Sequence, residues 1–165
     1  MKRPLVLLIT AVAISACGGA GAYGVNSSAP AKVGKAASVG LRTTKLGRIL
    51  VDRRGRTLYL FGKDSGKKST CRGACAAGWP PLITRGRPRA RIGVSARKLS
   101  TTKRPNGARQ VTYAGHPLYR FAGDAKAGQT NGHGVNAFGA RWYAVRSSGA
   151  RVVMLKPLPT PPPAY

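Results

Sequence analysis

At 165 residues, the chain has room for one modest domain and its tails. It carries 29 Lys+Arg against 3 Asp+Glu, a formal charge of +26. Such a surface repels itself and attracts polyanions: nucleic acid, anionic lipid headgroups or anionic wall polymers. Charge alone does not choose among these, so compartment must.

Lys2 and Arg3 form a short positive region before an apolar run from Leu5 to Ala16. The run is shorter than the roughly 20 residues needed to span a bilayer. It has the length of a signal-peptide core ending at a small-residue cleavage site, residues 1–16. Ile14-Ser15-Ala16-Cys17 resembles a bacterial lipobox. That resemblance implies lipidation of Cys17 and an extracytoplasmic domain anchored to the cell membrane. Acyl chains contribute ~0.8 kcal/mol per buried methylene, and each Lys or Arg near an anionic surface about 1 kcal/mol more. Setting Cys17 aside leaves Cys71 and Cys75, an even pair in an oxidising compartment, which reads as a disulfide. Nucleic acid is not expected as a physiological partner.

Residues 17–40 are rich in Ala, Gly and Ser without apolar periodicity and read as a flexible tether. The body, 41–155, reads as short strands broken by turns. Leu46 to Val51 is strand-like, Asp52 to Gly55 a turn, and Thr57 to Phe61 a returning strand. Gln110 to Tyr113, Ala114-Gly115 and Pro117 to Phe121 repeat the pattern. Alternation places Tyr59 and Phe61 on one face and Leu58 and Leu60 on the other. Because Arg120 stands where the first copy has Leu60, that second face is expected to be solvated in the later copy. Ser95 to Leu99 is the only helical candidate. Arg141 to Val145, Ser147 to Gly149 and Arg151 to Leu155 predict a final hairpin. Residues 156–165 form a Pro-rich, extended tail, as a bland terminus or a ligand for a partner.

The predicted fold is therefore all-β: a small single domain of short antiparallel strands built from two related units, about 44–100 and 101–155. Its signature is Y-x-F-x-x-D, present as Tyr59, Phe61, Asp64 and again sixty positions later as Tyr119, Phe121, Asp124. Two copies, with Cys71-Arg72-Gly73-Ala74-Cys75, Trp79-Pro80-Pro81 and Trp142-Tyr143 behind a lipobox, resemble a family of bacterial secreted lipoproteins with tandem Y-x-[FWY]-x-x-D repeats, a secreted repeat of unknown function. The resemblance covers about Leu46 to Val153 and brings no catalytic or cofactor residues with it. Here Arg and Lys fill loops where acids would be expected, which argues against cation binding through acidic loops.

Several constellations admit a sharper chemistry. Asp64 and Asp124 have the residue type of a general acid/base pair. Their equivalent positions, each before a polar Gly-containing loop, favour a shared structural task instead. Cys71 and Cys75 lack C-x-x-C spacing and a following His, so a loop disulfide is favoured over a redox or metal site. His116 and His133, with Met154, are the ingredients of a copper site, but no spacing places them together. The aromatic residues suit a core; Trp79, beside two prolines, and Trp142 are candidate ligand contacts, with His116 and His133. No catalytic residue, metal site or cofactor is expected, copper or haem being the alternative. The expected function is a non-enzymatic envelope lipoprotein engaging anionic lipids or wall polymers; the alternative is an envelope redox or metal- and haem-binding protein.

Overall fold

The structure is a computed structural model and describes residues 35–153. The signal peptide, Cys17, most of the tether, Met154 and the Pro-rich tail lie outside the described residues.

The chain folds as short strands in small sheets with almost no helix. A first hairpin pairs β1 (Ser38–Thr44) with β2 (Gly47–Asp52), followed by β3 (Tyr59–Phe61). A five-residue helix, α1 (Ala74–Gly78), precedes β4 (Ile83–Thr84) and β5 (Arg89–Ala90). After a 3₁₀ turn at Ala96–Lys98, a second hairpin pairs β6 (Leu99–Lys103) with β7 (Arg109–Tyr113). The chain ends with β8 (His116–Pro117), β9 (Asn136–Ala137) and β10 (Ala140–Ala144). All strand pairs are antiparallel except β1 with β5.

The turns form where glycine permits a left-handed backbone. Gly55 and Gly115 have φ of 77° and 86° at equivalent places in the turns that follow β2 and β7. After each turn the chain returns along the strand before it, Leu58 N donating to Leu50 O at 3.0 Å and Leu118 N to Val111 O at 2.9 Å. The first turn is one residue longer, and it carries Arg53 and Arg54 at its tip.

The two units exchange strands. The segment ending the first unit inserts into the second, Val111 N donating to Leu82 O at 2.8 Å and Leu82 N to Leu118 O at 2.9 Å. The segment ending the second unit inserts into the first by the same pattern, Leu50 N to Val145 O at 2.8 Å and Val145 N to Leu58 O at 3.3 Å. At the centre, Tyr59 and Tyr119 exchange both backbone hydrogen bonds, at 2.9 and 3.0 Å. The repeats are thus related by a pseudo-twofold arrangement, and the backbone groups of each are satisfied by the other.

Two cores result, one on each face of the central strands. One gathers Tyr59, Phe61, Trp79, Tyr119 and Trp142 with the cystine. The other gathers Leu58, Leu60, Leu82, Val111, Tyr113 and Leu118. The face expected to be solvated in the second copy is therefore buried there too. Leu118 is fully enclosed, and Arg120 turns its Nε onto Asp52 at 2.6 Å.

Other boundaries also differ from expectation. β1 begins at Ser38, inside the stretch read as tether, because Val39 and Leu41 pack into the second core. Residues 99–103 form β6 because β7 supplies its ladder partners. The second returning segment is only β8 plus isolated bridges, since Pro80 and Pro81 opposite it have no N–H to donate. Within the described residues, the last predicted strand is reduced to one bridge, Val145 with Arg151.

Candidate functional site: the motif lattice and the cationic face

The two Y-x-F-x-x-D motifs are wired to each other. Tyr59 of the first donates its hydroxyl proton to Asp124 of the second at 2.5 Å. Tyr119 of the second donates to Asp64 of the first at 2.7 Å. The second carboxylate oxygen of each Asp holds the loop that follows it. Asp64 Oδ1 accepts from the N–H and hydroxyl of Thr70, at 2.8 and 2.9 Å; Asp124 Oδ1 accepts from Asn131 N at 3.0 Å.

Each tyrosine hydroxyl also accepts a bond. Gly132 N donates to Tyr59 at 3.3 Å. The Tyr119 proton is used on Asp64, so Ser69, 2.7 Å away, donates to Tyr119 and accepts from Arg104 Nη1 at 2.8 Å. Burial, then the hydrogen bonds and charges of the paired aspartates, push both phenols well above their ordinary range. Burial likewise raises the Asp124 carboxyl, against the Tyr59 hydroxyl, the Asn131 N–H and the charge of Arg56.

The motif aromatics form one continuous stack, Phe61–Trp142–Trp79–Phe121. Centroids lie 4.1, 3.9 and 4.3 Å apart along it, and the central tryptophans are within 4° of parallel. Tyr59 and Tyr119 meet Trp79 and Trp142 edge-on at 5.5 and 5.1 Å. Gly132 presses its backbone on the Trp79 ring, where a Cβ would stand 2.8 Å from ring carbons. Both faces of each indole are therefore covered, and neither Trp79 nor Trp142 offers a surface to a ligand.

Cys71 and Cys75 form a disulfide, with Cα atoms 5.3 Å apart, that packs against this core. It closes the loop that leads into α1, whose end is held by Trp79 N donating to Cys75 O. Their sulfurs are bonded to each other and are not free to ligate. His116 sits on β8 opposite Tyr113. His133 lies in the loop before β9, its Nδ1 accepting from Ala144 N at 3.3 Å and its pKa lowered by burial. Among the described residues, no three His, Cys, Asp or Glu side chains gather as a metal site would require.

Two charged residues that sequence reasoning passed over prove structural. Arg104 is buried, and its guanidinium donates to Ser69 Oγ, Gln110 Oε1 and Cys71 O. Asp52 is buried, accepting from Arg54 N, Arg56 N and Arg120 Nε. Burial opposes its charge, but Arg120 and the backbone N–H groups of Arg56 and Arg54 outweigh it and hold the carboxyl below its ordinary range. The scarcity of acids was the available signal: each of the three has a fixed internal task.

A family model described as a secreted repeat of unknown function matches residues 40–83 and 100–146, more than half of the chain. The chain belongs to this family. The two matches coincide with the two units that exchange strands, so the secreted repeat is half of an interlocked pair. No curated protein and no solved structure matches the chain. Among the described residues, no helix is long and apolar enough to cross a membrane.

Proposed function

We propose that this secreted-repeat protein is a membrane-anchored envelope lipoprotein without enzymatic activity, whose cationic domain engages anionic envelope polymers or lipids. The observation that carries the binding role is the fate of the acids. Asp52, Asp64 and Asp124 are each consumed by internal hydrogen bonds, so the exposed Lys and Arg side chains face an outside nearly free of carboxylate. A field of one sign concentrates polyanions at the surface. The anchoring role is supported by Ile14-Ser15-Ala16-Cys17 after a short apolar run. The aspartates are employed as loop and tyrosine acceptors, which supports a framework task over acid/base chemistry.

The test is binding of the protein to anionic vesicles and to anionic wall polymer as a function of salt. Tight binding at low ionic strength with a steep salt dependence is expected. Indifference to both at low ionic strength removes the binding role. Retention of a Cys17→Ser variant in the membrane fraction, together with no lipid on wild-type Cys17 by mass spectrometry, removes the anchor.

A further inference from the structure

The cationic surface is not uniform. Three adjoining depressions of about 300, 730 and 410 Å³ surround the turn that follows β2. Arg53 lines all three and Lys35 the first two, so the depressions adjoin along these side chains as a cationic groove. Arg54 lines it from the turn, and Arg85, Arg87 and Arg89 from the opposite wall. These six side chains are exposed, and none donates a hydrogen bond to a described residue. The one carboxylate at the groove, Asp52, is occupied by Arg120. Like charges gathered around a concavity repel one another, so the arrangement costs stability unless a bound anion offsets it.

The walls are rigid. Asp52 Oδ1 accepts from Arg54 N and Arg56 N and so fixes the turn. Opposite it, Arg89 N donates to Ala37 O at 2.8 Å, and Thr84 Oγ1 accepts from Ala37 N while donating to Gly86 O. Pro88 restricts the backbone between Arg87 and Arg89. Residues 85–87 bend ahead of β5, and Arg85, Arg87 and Arg89 are all exposed along the same depression. The equivalent turn after β7 has nothing similar: it is Ala114-Gly115 and carries no arginine.

We infer that this groove, bounded by Arg53 and Arg54 on one side and Arg85, Arg87 and Arg89 on the other, is a binding site for a linear phosphodiester polymer. This rests on the polyanion-binding role proposed above and names its place and ligand chemistry. The charge lines a concavity, which a flexible chain enters and a flat headgroup layer does not. Every cation but Lys35 is arginine, whose planar fork grips two phosphate oxygens at once.

The full chain in non-ionic detergent micelles would be titrated with poly(glycerol phosphate), with polygalacturonate as a carboxylate polymer, and with phosphatidylglycerol vesicles. Two triple variants are compared, Arg53→Gln/Arg85→Gln/Arg87→Gln in the groove and Lys63→Gln/Arg97→Gln/Lys126→Gln elsewhere, with equal loss of charge. A wild-type near-UV spectrum of the stacked tryptophans verifies that each variant is folded. The groove variant should lose on the order of ten- to a hundredfold in affinity for poly(glycerol phosphate) at ~0.1 M salt, with a shallower salt dependence. The other variant should change by less than about threefold. Equal losses in the two variants overturn the groove while leaving the broader binding role standing. Tighter binding of polygalacturonate than of poly(glycerol phosphate), or binding of vesicles alone, also overturns it. No binding of any probe by the wild type removes the broader role as well.

Discussion

Tyr59 and Asp124 lie 65 residues apart in sequence and share a hydrogen bond of 2.5 Å; Tyr119 and Asp64 repeat the relationship in reverse at 2.7 Å. The motif Y-x-F-x-x-D is thus completed between repeats, not within one. Its tyrosine is buried with its hydroxyl on the other repeat's aspartate. Its aspartate spends the remaining oxygen on its own loop.

Tyr59→Phe and Tyr119→Phe should each lower stability by about 1.5–3 kcal/mol, the range for a hydrogen bond to a charged acceptor. In denaturant unfolding, Tyr59→Phe should couple to Asp124→Asn and be additive with Asp64→Asn. Coupling within a repeat in place of coupling across repeats would contradict the wiring.

Neither repeat should fold alone. The Trp79–Leu82 segment supplies backbone partners to Val111 and Leu118, and Trp142–Val145 supplies them to Leu50 through Phe61. Fragments covering each unit separately should lack the near-UV signal of the tryptophan stack, and mixing them should restore it. A folded single repeat would show that the exchanged strands are dispensable.

Gly132→Ala should destabilise by roughly 1–3 kcal/mol, because the new methyl meets the Trp79 ring and Phe121 Cβ in a packed core. Gly78→Ala, with nothing near its added methyl, should fall within about 0.5 kcal/mol of wild type. Thermal unfolding measures both.

The acids should pull stability in opposite directions with pH. Asp52 has a depressed carboxyl, so its contribution is present above the unfolded value of ~3.9 and is lost as pH falls through the folded one. Asp124 is raised, so its contribution is full below ~3.9 and is lost as pH rises through its folded value. Relative to wild type, the Tm of Asp52→Asn should therefore worsen as pH rises out of the acid range. That of Asp124→Asn should improve as pH rises above ~3.9. Parallel profiles for the two variants would refute the assignment.

Reducing the cystine should cost only about 2 kcal/mol, since it closes a loop of sequence separation 4. Reduced protein should keep its fold and unfold a few degrees earlier. Wholesale loss of structure on reduction would mean that α1 and Trp79 depend on the bridge far more than chain entropy requires.

Local chemistry made much of this legible. Alternating apolar residues and the left-handed glycines Gly55 and Gly115 announce the hairpins, and the spacing of the Tyr, Phe and Asp residues announces two related units. An even pair of cysteines in an exported chain reads as the disulfide that the structure contains. These features depend on neighbours within a few residues, and sequence carries such neighbours directly.

The rest depends on pairing across the chain. Nothing local says that Trp79 stacks on Trp142, that Arg120 seeks Asp52, or that the leucine face finds a second core in the other repeat. Composition disguised the start of β1 as tether, because Val39 is buried by strands far along the chain. The sequence by itself determined an all-β, two-unit, strongly basic protein of a secreted-repeat family. The tertiary structure decided that the units interlock and that all three acids are spent inside. It also decided that arginines from two distant turns line one groove. Each of these is a long-range contact, selected by mutual burial and hydrogen-bond satisfaction, and no short window of residues encodes it.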